Sequence, residues 1–256
     1  MKPYVGITGF KTREDVLEVE DIANELGFEN FSHSLMFGYL VSDKRIRDRD
    51  SEGKQSSSLN DLPTIVRLTP RFGFPVLHYF TRGNEYAEEI QELFNFGRLY
   101  ENGICRSVQL NNMDVLPTVE DVDRIIQSLP KLEVILQLPR KFLEELTPEQ
   151  ATRRVKEYEG LISYVLVDPS GGLGLDFNLE KCIDVMSAVD EALNIMVGVA
   201  GGFSGDNVRE RIRDIQSRFS KPFCIDAQGK LRVKDDKRRM DYSSVKNYLE
   251  DARNAL

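Results

Sequence analysis

The sequence has few cysteines, no long apolar run and no excess of positive charge, and each shortage removes a class of function. Cys105, Cys182 and Cys224 stand far apart and form no CxxC or Cys/His ligand spacing, which argues against a disulfide framework and against a structural zinc site. The apolar runs fall far short of the roughly 20 residues that a membrane helix needs. With 34 basic and 42 acidic side chains the net charge is −8. That leaves no footprint for nucleic acid or an anionic membrane surface. Small anions stay open, because a few converging amides can hold a phosphate inside an acidic protein.

Several catalytic signatures are also missing. No GxGxxG turn follows an early strand, no serine sits in a Gly-x-Ser-x-Gly elbow, and no lysine ends a predicted strand. The last two absences weigh against an esterase-type nucleophile and a Schiff-base aldolase. There is no HxH or HxxxH spacing, so a metal-dependent hydrolase would have only the loose set His78, Asp168 and Asp226. Neither a metal nor a cofactor is expected. Met1-Lys2-Pro3-Tyr4-Val5-Gly6 enters a strand-like run at once and leaves no room for a signal peptide, which points to the cytoplasm.

What is present is an alternation. Short β-branched runs at Tyr4–Thr8, Leu35–Val41, Phe74–Phe80, Ser107–Leu110, Glu133–Leu138, Tyr164–Asp168, Ile195–Ala200 and Phe223–Asp226 read as strands. Amphipathic stretches between and after them read as helices, at Arg13–Leu26, Leu62–Pro70, Glu85–Phe96, Thr118–Ser128, Pro148–Glu157, Leu179–Leu193, Asp206–Phe219 and Ser243–Ala255. Thr118, ahead of Glu120 and Asp121, and Thr147-Pro148-Glu149 are helix starts. Eight strands alternating with eight helices predict an α/β fold, a single (β/α)₈ barrel with a parallel sheet over residues 1–256. An open doubly wound sheet is the alternative. The one long irregular stretch, Ser42–Asp61, follows strand two and would be either a lid or a surface insertion.

In a parallel barrel the chemistry sits at the C-terminal strand ends. Those ends bring Thr8, His78, Gln109, Asn111, Gln137, Asp168, Ser170 and Asp226 to one face. The turn Gly201-Gly202, ahead of a helix expected from Asp206, and the turn Ala227-Gln228-Gly229 follow strands seven and eight. Glycine-rich loops at those two places let backbone amides converge on a phosphate. The plainer reading is that they serve tight turns only.

These segments resemble, in order, those of phosphoribosylanthranilate isomerases. Lys2-Pro3-Tyr4-Val5-Gly6-Ile7-Thr8 is similar to their Lys-x-Cys-Gly-Ile-Thr, and Val108-Gln109-Leu110-Asn111 to their Val-Gln-Leu-His. Leu166-Val167-Asp168 followed by a glycine-rich loop resembles their Leu-Leu-Asp. Gly201-Gly202 with Asp206-Asn207-Val208 resembles Gly-Gly-Leu-x-Pro-Glu-Asn-Val, and Asp226-Ala227-Gln228-Gly229 stands where they carry Asp-Val-Ser-Ser-Gly. The resemblance implies a barrel, a phosphoribosyl substrate and an Amadori rearrangement. It implies an aspartate general acid at Asp168 and a cysteine general base at Val5, which cannot move a proton.

The expectation is an isomerase-like acid–base enzyme for a phosphoribosyl or sugar-phosphate compound. Asp168 and His78 would exchange protons across the mouth, the histidine supplying what Val5 lacks. Gly201, Gly202, Ala227, Gln228 and Gly229 would hold phosphate, and Thr8, Gln109, Asn111, Gln137, Ser170 and Asp226 would line the substrate pocket. The other reading is a barrel that binds a phosphorylated ligand without catalysis, as a binding or partner protein. The remaining partners are a small molecule and at most a second copy of the chain, as monomer or homodimer.

Overall fold

The computed structural model describes residues 1–48, 55–81, 83, 86–112, 115–170 and 178–256. Eight parallel strands close on themselves: β1 (Tyr4–Thr8), β2 (Ser34–Ser42), β3 (Gly73–Thr81), β4 (Ser107–Asn112), β5 (Glu133–Leu138), β6 (Tyr164–Val167), β7 (Met196–Ala200) and β8 (Cys224–Ala227), with β1 paired to β8. The barrel anticipated from the alternation is the barrel observed. Each strand places successive side chains on opposite faces, and the sequence divides accordingly. Val5 and Ile7, Val165 and Val167, Val197 and Val199, and Ile225 join the large core between strands and helices. Tyr4, Met36, Val76, Ile135, Tyr164, Leu166, Ala200 and Cys224 form a second, smaller core inside the barrel.

The outer layer is α1 (Arg13–Glu25), α2 (Asp43–Asp48), α3 (Leu62–Val66), α4 (Tyr86–Asn95), α5 (Val119–Ser128), α6 (Arg140–Glu145), α7 (Pro148–Lys156), α8 (Leu179–Leu193), α9 (Val208–Arg218) and α10 (Tyr242–Ala255). Thr118 caps α5 by accepting from Asp121 N, and Thr147 caps α7 within a capping box, as hydroxyl residues at those positions should. Helix α9 begins two residues later than expected, with Asn207 rather than Asp206 in the cap position. Its carboxamide is spent on the loop instead: Oδ1 accepts from Ser204 N at 2.9 Å and Nδ2 donates to the Gly202 carbonyl at 2.8 Å.

Three pieces escaped the sequence reading, one of them α6 (Arg140–Glu145). A hairpin, β9 (Arg232–Val233) with β10 (Asp236–Met240), is appended after β8. The Ser42–Asp61 stretch contains α2, which ties to α4 through an Arg47–Glu89 ion pair at 3.0 Å. Residues 49–54 of that stretch lie outside the described residues. On its far side, Gln55 accepts from Gln228 Nε2 at 2.7 Å and donates to the Lys237 carbonyl at 3.1 Å, so the stretch is tied to the β8 end of the mouth. Among the described residues no helix is long and apolar enough to cross a membrane.

Candidate active site

The inward positions explain why a site forms where it does. Three aromatic rings, Tyr4, Phe74 and Tyr164, meet at centroid distances of 5.7–5.9 Å and plug the lower barrel. Two residues further along four of the strands the inward side chain becomes polar: Val76 gives way to His78, Ile135 to Gln137, Leu166 to Asp168 and Cys224 to Asp226. His78, Gln109, Asn111, Asp168, Ser170, Ala200, Gly201, Gly202, Asp226, Gln228 and Gly229 line one tight recess of about 20 Å³ at the C-terminal end. The strand-end residues singled out in the sequence therefore converge, with three exceptions. Thr8 and Gln137 stand behind the lining, each bonded to an aspartate. Ala227 turns its side chain into the helix-facing core while its backbone pairs with Ile7; being one residue from the inward-facing Asp226, it must face outward.

A chain of hydrogen bonds crosses strands β4, β5 and β6. Gln109 Nε2 donates to Gln137 Oε1 at 2.8 Å, and Gln137 Nε2 donates to Asp168 Oδ2 at 2.7 Å. The other Asp168 oxygen accepts from Ser170 N at 3.0 Å and from Ser170 Oγ at 2.9 Å. All three of these neighbours donate, the arrangement that suits an ionised carboxylate. Gly201, at φ +98°, is required beside it: a Cβ there would lie 2.5 Å from Ser170 Oγ and 3.1 Å from Asp168 Oδ1. The neighbouring Gly202 is also left-handed, at φ +61°.

Asp226 is built differently. Its oxygens accept from one side chain, the Thr8 hydroxyl at 3.1 and 3.0 Å, and from the backbone of Ala227. Burial over the apolar plug pushes its carboxyl up to about 7, the Thr8 hydrogen bond opposes the rise, and the charge of Asp168 adds to it. The two aspartates thus share one recess in unlike settings.

His78 is buried, with Nε2 3.1 Å from Asn111 Nδ2. Desolvation lowers its pKa to about 4, so the imidazole is neutral at physiological pH. That makes it a weak proton acceptor and a good hydrogen-bonding group. Its Nδ1 and Gln109 Oε1 are buried polar atoms with no hydrogen-bond partner among the described residues. His33, given little weight in the sequence, lies at the opposite end of the barrel beside Ser32, Pro222 and Phe223.

Strand one corrects the mapping that the resemblance implied. Val5 faces the helices, so no side chain at that position reaches the recess. The inward residue of the pair is Gly6, and the space above it is taken by neighbours: a Cβ on Gly6 would sit 2.7 Å from Met36 Cε and 2.8 Å from Asp226 Oδ1. None of the three cysteines compensates, since Cys224 lies in the plug and burial holds Cys105 and Cys182 up at about 12.

No family model and no curated protein matches the sequence. Solved structures do. A phosphoribosyl anthranilate isomerase from Thermus thermophilus superposes with a TM-score of 0.66 at 16% identity, covering 98% of each chain. A phosphoribosyl anthranilate isomerase in complex with reduced 1-(o-carboxyphenylamino)-1-deoxyribulose 5-phosphate gives 0.66 at 18% identity over 98% of this chain and 99% of that one. TrpF from Jonesia denitrificans gives 0.62 at 14% identity over 99% and 98%. These likenesses establish a common barrel from end to end.

Proposed function

We propose that this barrel is an isomerase-like enzyme that moves protons on a phosphorylated sugar or phosphoribosyl compound. The observation that carries the reading is the convergence of two aspartates in unlike settings, a neutral histidine and two glycine turns on one recess. Asp168 is held by donors from two elements, as a positioned proton-transfer group must be. His78 contributes a neutral imidazole that can hydrogen-bond a substrate hydroxyl or carbonyl from the opposite wall.

The phosphate would lie at the β7–β8 side. The carbonyls of Gly201 and Gly202 are occupied by Arg211 Nη1 at 3.0 Å and Asn207 Nδ2, which leaves the amides of that turn, with those around Gln228 and Gly229, as the groups to offer an anion. The N-terminal end of α9 adds its dipole. Exposed Asp206 stands one residue before the cap Asn207 and turns to solvent. Calorimetric titration with inorganic phosphate and ribose 5-phosphate tests this. A Gly202→Leu variant that binds as well as the wild type would place the phosphate elsewhere.

A second reading, phosphate-ligand binding without turnover, is favoured by one observation: β1 offers no inward proton-transfer group at Val5 or Gly6. Solvent deuterium uptake into a bound sugar phosphate separates the two readings. Uptake requires proton transfer; a binding protein gives none.

A further inference from the structure

We propose that Asp226, from β8, is the proton donor of this site and that Asp168 is its proton acceptor, so the pair replaces the proton-transfer group that β1 lacks. The inference rests on the isomerase reading above and adds to it the identity and direction of the second group. Three observations support it. Asp226 shares with Met36 the space over Gly6, where an inward side chain on β1 would otherwise reach the substrate. It lines the same recess as Asp168, and the two alternate with Ala200 at one level of the barrel, through the register Ala200 to Asp226 and the pairing of β6 with β7. Their hydrogen bonds are unequal: Asp168 accepts from Ser170 N, Ser170 Oγ and Gln137 Nε2, whereas Asp226 has the Thr8 hydroxyl and the backbone of Ala227. Two nearby buried carboxylates hold one proton more readily than none, and the one with fewer donors keeps it. Its pKa of about 7 is in accord, and matches what a general acid needs near neutral pH.

The step balances without a further reactant. On a ring-opened aldose phosphate, the Asp168 carboxylate takes the proton from C2. The C–H electron pair becomes the C1–C2 double bond, and the carbonyl π pair moves to its oxygen, which takes the Asp226 proton. In the second half the proton on the C2 oxygen returns to the Asp226 carboxylate, while C1 takes the proton held by Asp168, giving the ketose. An imine at C1 follows the same course with nitrogen in place of oxygen.

The test is deuterium uptake from D₂O, followed by proton NMR, with ribose 5-phosphate, ribulose 5-phosphate and phosphoribosylanthranilate as probes. Wild type is expected to exchange with at least one. Asp226→Asn is expected to slow that exchange about 10²–10⁴-fold while its thermal unfolding stays cooperative, and Asp226→Glu to recover part of it. The wild-type pH profile should fall on a basic limb near 7, as the donor loses its proton. The groups facing Asp226 are Thr8 and Tyr4 of β1, Asp168 beyond β6, Cys224 of its own strand and Tyr248 of α10; Tyr4, Cys224 and Tyr248 have their pKa values raised and stay neutral there. Because the Thr8 hydroxyl favours the charged form of Asp226, Thr8→Val should move the limb to higher pH. Exchange within threefold of wild type in Asp226→Asn, or a limb that Thr8→Val leaves in place, overturns the assignment and leaves the isomerase reading standing. No exchange by wild type with any probe overturns both.

Discussion

The inside of this barrel has two storeys, and the same strands build both. Below, Tyr4, Phe74, Tyr164, Leu166 and Ile135 pack as an apolar plug. One inward step higher, His78, Gln109, Asp168 and Asp226 face a recess. The lower storey has no chemistry to offer and the upper one adds little apolar burial. Yet the upper storey depends on the lower: apolar packing beneath it excludes water, which is what raises the Asp226 carboxyl and holds His78 neutral. A site of perturbed acids and bases follows from placing polar side chains one step above a dry floor.

The sharpest way to break that contrast is to exchange the two storeys' roles by mutation. Leu166→Ala, in the plug at 1% exposure, should cost about 2–5 kcal/mol by urea denaturation, since it removes buried contacts and leaves a cavity. Asp168→Asn, one inward position along from it, should cost less, about 1–3 kcal/mol for the buried hydrogen bonds it disturbs, but slow turnover or exchange about 10²–10⁴-fold. A cost below about 1 kcal/mol for Leu166→Ala would show the plug is not packed as described.

The next effect is on the pH dependence of stability, and the two buried titrating groups act with opposite sign. Asp226 is raised from 3.8 to about 7, so the folded state binds its proton more tightly and stability falls as pH rises from about 4 to 7. His78 is lowered from 6.5 to about 4, so the unfolded chain binds more protons and stability rises with pH over about 4 to 6.5. The two slopes largely cancel up to pH 6.5, and above that only the Asp226 loss remains. Each amounts to roughly 3–5 kcal/mol in full, the Asp226 effect being the larger. Asp226→Asn should therefore gain on wild type between pH 5 and pH 8, and His78→Gln should gain on it as pH falls from 7 to 4. Denaturant midpoints with unchanged slopes would report both, and a difference that stays constant with pH in either variant would remove that group from the account.

Gly201→Ala follows, at about 1–3 kcal/mol. The residue is held at φ +98° and its new Cβ would press on Ser170 Oγ, so the variant is strained in backbone and side chain alike. Because Ser170 bonds Asp168, exchange should fall along with stability. Loss of stability with full activity would show that Ser170 does not hold the aspartate.

How much of this was legible in the sequence follows from what each feature depends on. The strands were readable because their β-branched runs serve an outer core that is apolar on every strand. The recess was readable because strand ends in a parallel barrel share one face. Which residues of a strand point inward was not: the resemblance placed the family's cysteine at Val5, and a shift of one residue turns that position to the helices. The β9–β10 hairpin, rich in Lys, Arg and Asp, carries no apolar alternation to announce it. The unlike settings of Asp168 and Asp226 depend on partners distant in sequence, Gln137 for one and Thr8 for the other, and single motifs contain neither.

The smallest effect tests whether the stretch after β2 belongs to the upper storey or merely lies beside it. Gln55 joins Gln228, on the recess wall, to the carbonyl of Lys237 in the hairpin. Gln55→Ala removes two neutral hydrogen bonds in a half-buried place, which should cost about 0.5–1.5 kcal/mol. If those bonds only hold the surface together, that stability loss is the whole result. If they fix Gln228 for an anion, inorganic phosphate should also bind a few-fold more weakly by calorimetry, because the side chain must then be ordered on binding rather than before it. Asp61→Ala, which breaks the Ser58–Asp61 hydrogen bond at 2.7 Å further along the same stretch, is the control and should leave phosphate affinity unchanged. Equal weakening in both variants would assign the effect to the stretch as a whole, and no weakening in either would return it to the exterior.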